Sequence, residues 1–217
     1  MSKQERATRT RHALIQSAAH VFDQGGYSQA RLEQVSQGAG VSRGALFFHF
    51  ANKEALADAV EEAASRTLRA AAGDVYRRRG GALQALIDTT HALARLFSHD
   101  QVVRGGFQVS CHTNRGSGKP LREQWESYVG LLLREADAGN ELLGSAPQRD
   151  IVETIVAATT GFQILGHHDE ARLSAFALTR FWRLLLPRLA TAEVLGGLRP
   201  DGSRPADHPA HSPRQQI

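Results

Sequence analysis

Residues 40–56 read GVSRGALFFHFANKEAL and carry the strongest structural signal in this chain. An apolar-periodic segment, Leu32–Ala39, precedes them, and Ser42 is a residue type that favours the N-cap of a helix. This order predicts a helix, a four-residue turn around Gly40 and a second helix through Phe50. Such a pair places a recognition helix in the major groove of DNA, although short helical pairs also occur in many all-α proteins.

The second helix of this pair has two different faces. At 100° per residue, one arc holds Ala45, Leu46, His49 and Phe50, which we expect to pack inward. The opposite arc holds Arg43, Gly44, Phe47 and Phe48. Two exposed phenylalanines are costly unless a partner covers them, and an arginine beside them can reach a phosphate or the O6 and N7 edge of guanine. Glycine on the same arc lets another backbone approach closely.

The charge distribution points to the same end of the chain. The protein has 217 residues and a formal net charge of +4. Residues 1–53 contain seven basic and three acidic side chains, which gives +4, so the remaining residues sum to zero. This asymmetry suggests that the first quarter meets a polyanion, while a solvated basic tail is an equally common alternative. Lys53 begins a helix, where a bound phosphate would relieve the conflict between its charge and the helix dipole.

The rest of the chain is predicted to be helical. The first helix contains Leu14–Phe22 and ends at Gly25-Gly26, Ser28 caps the second, and Asn52 caps a fourth over about 53–79. Further helices are expected near 82–98, 101–111, 121–138, 148–167 and 170–190. The proline-rich residues 199–217 read as a disordered tail. The fold class is therefore all-α.

Two motifs at the N-terminal end resemble the TetR family of repressors. They are the 40–56 stretch quoted above and the helix end Phe22–Tyr27, which follow each other in the order and spacing of that family. The resemblance implies a three-helix helix-turn-helix head, residues 1–52, and a ligand-binding and dimerising helical body, residues 53–198. It implies DNA contacts from Arg6, Arg9, Arg31, Ser42, Arg43, Gly44, Phe47, Phe48, His49 and Lys53. Phe47 stands where the family usually has a tyrosine that donates to a phosphate, and His49 is better interpreted as a residue at the edge of the core.

The body resembles the γ-butyrolactone receptors and pseudo-receptors of actinomycetes. Residues 45–50, 102–107 and the sequence around Trp125 carry this similarity, which implies an apolar pocket roofed by Trp125. The candidate lining residues are Leu86, Thr90, Phe107, Gln108, Cys111, Trp125, Val129, Thr160 and Gln163. For each of them except Trp125, plain core packing is the favoured alternative.

The last two long helices are too apolar to stand alone and need a partner surface. In the TetR family these helices pair into a dimeric four-helix bundle. The residues proposed for the homodimer interface are Ile151, Ile155, Ala158, Leu178, Phe181, Trp182 and Leu185, and Phe162 is a further apolar residue of the same helices.

The remaining candidate residues do not have the spacing of a phosphate-binding loop or of a metal site. Residues 115–120 resemble a phosphate-binding loop, but Thr113 replaces its first glycine and Pro120 its magnesium-binding hydroxyl. His167, His168 and Asp169 are neighbours on a helix and cannot chelate a metal together. Cys111, the single cysteine, excludes an internal disulfide and is expected to be a small buried hydrophobe. We expect neither an enzyme nor a cofactor or metal.

The sequence thus predicts a homodimeric repressor that binds double-stranded operator DNA. A small lipophilic ligand, γ-butyrolactone-like or an antibiotic, would release it from genes of antibiotic biosynthesis or signalling. The alternative is a small-molecule-binding or enzymatic all-α protein whose head has lost DNA binding. The polar start, residues 1–11, and the absence of an apolar run of about 18–20 residues predict a cytoplasmic protein without a membrane anchor.

Overall fold

The computed structural model describes residues 2–78, 80–112, 119–166 and 175–203 of the chain. Its helices are α1 Lys3–Gln29, α2 Leu32–Gly38, α3 Arg43–His49, α4 Lys53–Tyr76, α5 Ala82–His99, α6 Gln101–His112, α7 Leu121–Ala138, α8 Gln148–Gly166, α9 Ala175–Leu189 and α10 Ala192–Leu195. Within these residues no strand forms beyond one isolated bridge between Leu142 and Ala190. The predicted all-α fold is confirmed.

Helix α1 is longer than the sequence predicted. It begins at a capping box, in which the Ser2 side chain accepts from the Glu5 backbone N–H and the Glu5 carboxylate accepts from the Ser2 N–H. It was expected to end at Gly25-Gly26 but continues to Gln29. Gly26 has φ 71° and ψ 160°, so the helix is broken at the predicted place and resumes for one further turn.

The helix-turn-helix forms from local signals. Ser42 caps α3, since its hydroxyl accepts from the Ala45 N–H at 3.2 Å, and Asn52 caps α4 through the Ala55 N–H at 2.7 Å. Both predicted caps are confirmed. The predicted cap Ser28 is wrong, because Arg31 precedes α2 and Ser28 lies within α1.

The core of the head joins the first four helices. Its fully buried members include Leu14, Ala18, Phe22, Val35, Leu46, Leu56, Ala57, Val60 and Val109. The Ser17 hydroxyl donates to the Val35 carbonyl at 2.8 Å and ties α1 to α2. Because α4 and α6 also contribute, this core extends beyond the boundary expected at residue 52.

Helix α6 connects the head to the body at very short range. A Cβ atom on Gly105 would lie 2.4 Å from the Ala19 carbonyl oxygen of α1, and one on Gly106 would lie 2.4 Å from the Ala64 Cβ of α4. Next to them, Arg104 Nε donates to the buried carboxylate of Asp23 at 2.9 Å. Glycine is therefore required at both positions for α6 to approach its two neighbours.

The body has its own core around α5, α7, α8 and α9. Its largest fully buried side chain is Trp182, whose indole Nε1 donates to the Thr90 hydroxyl at 2.8 Å. This pair links α9 to α5.

The segment after α10 is held against α5 rather than disordered from residue 199 onward. The Arg199 N–H donates to the Gln84 side chain, His91 Nε2 donates to the Pro200 carbonyl, and the Ser203 N–H donates to Asp88, at 2.8, 2.9 and 2.7 Å. The expected tail therefore does not start at residue 199. Its remainder, 204–217, lies outside the described residues.

Candidate nucleic-acid interface and ligand cleft

The outer face of α3 is arranged as its helical spacing predicted. Leu46 and Phe50 are buried, whereas Phe47 is 43% exposed and Phe48 is 82% exposed. Arg43 and Gly44 are also exposed. Two aromatic rings and an arginine thus form a largely exposed surface, which we call the reading face.

Arg43 on the reading face has two partners within the head. Its Nη1 lies 2.8 Å from Glu33 Oε1 on α2, and its guanidinium carbon lies 5.6 Å from the centre of the Phe47 ring. Sequence reasoning missed Glu33. The i, i+10 separation across a turn carries no periodic signal that would have identified it.

The other predicted DNA contacts of the head lie on or next to α1, α2 and α3. Arg6 and Arg9 are exposed on the first turns of α1, and Arg31 is exposed at the start of α2. Ser42 is exposed but uses its hydroxyl as the α3 cap. His49 is half-buried and its ring packs edge-on against Phe48, with 5.2 Å between centroids.

Lys53 contacts two groups near the end of α1. Its Nζ donates to the Ser28 carbonyl at 3.2 Å and lies 4.6 Å from the centre of the Tyr27 ring. Partial burial lowers the pKa of Lys53 from its ordinary value. The side chain thus ties the start of α4 to the end of α1.

A cleft of about 770 Å³ lies between α4 and α7. The described residues that line it are Asp58, Glu61, Glu62, Ser65, Leu68, Arg69, Ala72, Leu93, Lys119, Pro120, Leu121, Gln124, Trp125, Ser127, Tyr128 and Leu131. The Trp125 and Tyr128 rings stack with centroids 6.1 Å apart. Trp125 Nε1 donates to the Thr159 hydroxyl at 2.9 Å, which fixes the indole against α8.

The structure places the nine predicted lining residues at several different positions. Trp125 lines the cleft, while Thr90 and Gln163 line a void of about 10 Å³ behind it. Leu86 and Val129 are in the body core instead, and Phe107 packs edge-on against Phe97. The other three lie outside both cavities, with Gln108 and Thr160 half-buried and Cys111 exposed, contrary to the buried thiol expected.

Helices α8 and α9 expose apolar residues, but not all of those predicted. Ile155, Leu178 and Trp182 are buried inside the protomer core, which corrects their assignment to the dimer interface. Ile151, Ala158, Phe162, Phe181 and Leu185 are half-buried. The large apolar side chains that α8 and α9 expose are Ile164, Leu165, Phe176 and Leu184, and we call these four the α8–α9 face.

The loop that resembles a phosphate-binding motif and the residues His167–Asp169 lie mostly outside the described residues. Residues 113–118 of the loop that resembles a phosphate-binding motif, and His167, His168 and Asp169, are not among the described residues. Within the described part of the chain, no group of three or more His, Cys, Asp or Glu side chains could hold a metal ion. No described helix has both the length and the apolar character to cross a membrane.

Known proteins with related sequences and structures agree with this architecture. A profile of bacterial regulatory proteins of the tetR family matches residues 14–60. The A-factor receptor protein of Streptomyces griseus is 31% identical over 207 residues, covering 93% of this chain and 71% of the receptor. A solved γ-butyrolactone receptor (ArpA-like protein) has a TM-score of 0.76 at 28% identity, covering 88% of this chain and 93% of that one. CprB from Streptomyces coelicolor, in complex with its biological operator sequence, has a TM-score of 0.75 at 29% identity, covering 88% and 94%.

The helical fold and the reading face define a DNA-binding transcriptional regulator of the helix-turn-helix class. The chain belongs to the TetR family of bacterial regulatory proteins and is similar to its γ-butyrolactone receptors. Regulators of this family bind operator DNA and small molecules, act as dimers and are not enzymes, which confirms the predicted class of protein.

Proposed function

We propose that this regulator is a homodimeric repressor of antibiotic-biosynthesis or signalling genes. In its free state it binds a pseudo-palindromic operator, and a small lipophilic ligand in the α4–α7 cleft releases it. The ligand is a γ-butyrolactone-like molecule or an antibiotic. Because its partner is chromosomal DNA, we place the protein in the cytoplasm.

The reading face is the observation that carries the proposal. Arg43, Phe47 and Phe48 project from a capped helix whose opposite side, Leu46 and Phe50, is anchored in the head core. Two such helices in a two-fold dimer would enter successive major grooves about 34–36 Å apart. Arg6, Arg9 and Arg31 add positive charge on the same domain, which supports phosphate contacts that position the head without reading sequence.

The cleft supports a small-molecule effector. Its volume of about 770 Å³ lies in the range of sites that enclose drug-sized ligands. Trp125, Tyr128, Leu68, Leu93 and Leu131 supply apolar surface to the cleft, and α4 adds the polar residues Asp58, Glu61, Glu62, Ser65 and Arg69. This mixture suits a ligand with an apolar chain and a few hydrogen-bonding groups, as a lactone or a polyketide has.

The α8–α9 face supports the homodimer. Phe176 is 62% exposed and Leu184 is 79% exposed, and burial of such large apolar side chains against a second subunit would be favourable. A two-fold axis at this face would bury the same residues from both subunits.

Helix α4 offers the route from ligand to DNA. Its first turns contribute Leu56, Ala57 and Val60 to the head core, and one face from Asp58 to Ala72 lines the cleft. A ligand that binds more tightly to one orientation of α4 shifts the population toward it. If that orientation changes the spacing of the two heads, the operator is released.

Gel-shift titrations would test DNA binding. The folded dimer is titrated against duplexes covering the region upstream of its own gene, at low and at physiological salt. We expect a specific complex that survives competitor DNA. If no duplex is shifted even at low salt, the repressor assignment fails.

Fluorescence would test the cleft. The chain has two tryptophans, and Trp182 is buried in the core while Trp125 lines the cleft. We expect a γ-butyrolactone or a pathway antibiotic to change the emission of the native protein and of Trp182→Phe, but not that of Trp125→Phe. The same ligand must dissociate the operator complex. A ligand that dissociates it without moving the Trp125 signal would locate the effector site elsewhere.

A further inference from the structure

The carboxylate of Glu33 lies where a DNA-binding surface would ordinarily avoid negative charge. It is 2.8 Å from Arg43 Nη1, and both side chains are mostly exposed, at 53% and 64%. An exposed ion pair of this kind contributes little to folding stability. A carboxylate near phosphates also opposes binding to DNA of any sequence. Glu33 therefore has an electrostatic cost at this site that stability does not offset.

The ion pair with Glu33 orients the Arg43 side chain. A free arginine side chain samples many rotamers and loses that freedom when it binds. Here the guanidinium contacts both the carboxylate of Glu33 and the ring of Phe47, whose centre is 5.6 Å away. The contact with Glu33 uses Nη1, and a guanidinium has five N–H donors, so enough donors remain for two parallel hydrogen bonds.

We propose that Glu33 is a specificity-determining positioning residue, which together with Phe47 holds Arg43 as a reader of guanine. The base would be the guanine of one G·C pair in each operator half-site, contacted through O6 and N7 in the major groove. This inference rests on the proposed function, because it requires sequence-specific binding. It also gives Phe47 a role that needs no hydroxyl group, since a flat ring is sufficient to support the guanidinium.

The alternative is that Arg43 contacts a phosphate and that Glu33 only weakens this contact. The two cases differ in their dependence on base identity and on salt. A base reader loses discrimination at one position when it is mispositioned, whereas a phosphate contact changes affinity for all sequences alike. Removing a phosphate contact also reduces the slope of log affinity against log salt by about 0.9 for each contact.

The experiment uses the full-length dimer and an operator selected from random duplexes. Affinities are measured by anisotropy at several salt concentrations for the operator, for non-operator DNA and for duplexes with each half-site G·C pair changed to A·T. The proteins are wild type, Glu33→Gln, Arg43→Ala and the control Glu126→Gln. The control makes the same chemical change in another exposed pair, with Arg122 at 3.4 Å. Circular dichroism confirms that each variant is folded.

We expect wild type to prefer guanine at one pair of each half-site by about tenfold or more. Arg43→Ala should abolish that preference and leave the salt slope unchanged. Glu33→Gln should reduce the preference at least threefold while binding non-operator DNA more tightly, and Glu126→Gln should behave as wild type.

Two results would overturn the inference. One is a Glu33→Gln variant that keeps the full guanine preference. The other is an Arg43→Ala variant whose salt slope falls by about 0.9 per subunit with equal losses on all duplexes, which would identify a phosphate contact. Failure to select any operator with wild type would instead remove the proposed function, and this inference with it.

Discussion

The head and the body differ in the apolar surface that each leaves uncovered. In the described part of the head, the large exposed apolar side chains are Phe47 and Phe48, both on the reading face. The body exposes Leu131 at the cleft and the four residues of the α8–α9 face, and also Tyr76 and Leu143. Most of these exposed apolar side chains thus lie where we propose that DNA, a ligand and a second subunit bind.

This difference indicates that the head is complete within one chain and the body is not. The head needs α1–α4 and a contribution from α6 to fill its core. The body has a filled core around Trp182, yet two of its surfaces remain open. Substitutions should therefore affect the two regions through different observables, namely stability in the cores and association at the open surfaces.

The largest expected effect is on the stability of the body core. Trp182→Ala should lower the free energy of unfolding by about 3–5 kcal/mol, because it empties a fully buried site. Trp125→Ala, at the edge of the cleft, should cost less than half as much. Guanidinium unfolding at a fixed protomer concentration measures both. Equal losses would mean that the cleft wall is as tightly packed as the core.

Dimer affinity should fall when a residue of the α8–α9 face is substituted, and not when an exposed leucine elsewhere is substituted. Leu184→Arg would place an unpaired charge in the proposed interface, and we expect the dimer to weaken about a hundredfold, or about 2.8 kcal/mol. Leu131→Arg, at the cleft, is the matched control and should leave the dimer intact. Sedimentation equilibrium measures the difference. An unchanged dimer in Leu184→Arg would place the interface on another surface.

Adding a single methyl group where α6 packs against α1 should lower the stability of the protein. Gly105→Ala brings a Cβ to 2.4 Å from the Ala19 carbonyl oxygen and should cost about 1–3 kcal/mol of stability through overpacking. Gly25→Ala has nothing within 4 Å of the new atom and should cause no loss. Thermal or chemical unfolding of both variants checks this. A neutral Gly105→Ala would show that α6 moves away from α1 easily.

The smallest expected effect concerns the reading face. Phe47→Tyr adds a hydroxyl that can donate to a phosphate, and we expect affinity to rise by about 0.5–1.5 kcal/mol. The gain should be equal for operator and non-operator DNA, because a phosphate contact carries no sequence information. Anisotropy titrations on both duplexes test it. A gain limited to the operator would place the ring against a base edge.

The head was more predictable from sequence than the body because its signals are local. The caps Ser42 and Asn52 act within three residues, and the faces of α3 follow from helical periodicity alone. Glu33 escaped prediction because its partner lies across a turn and no spacing rule links them.

The packing of the body could not be predicted from the helical periodicity of its sequence. Helices α8 and α9 are apolar on more than one side, so the pattern did not distinguish Ile155, Leu178 and Trp182, which face the protomer core, from the exposed α8–α9 face. The α4 wall of the cleft carries polar and small residues at helical spacing, such as Asp58, Ser65 and Ala72. In a sequence such a stripe has the pattern of an ordinary solvated surface.

The two glycines of α6 have a mechanical consequence. Side chains between packed helices usually absorb small displacements by changing rotamer, but no such layer separates Gly105 from α1 or Gly106 from α4. Arg104, bonded to Asp23 on α1, further restrains sliding at the same level. The closest approaches are to the Ala19 backbone of α1 and to the short Ala64 side chain of α4, so a shift of α6 toward either helix displaces that helix. How much of a displacement in the body reaches the head then depends on the stiffness of this contact more than on the size of the displacement.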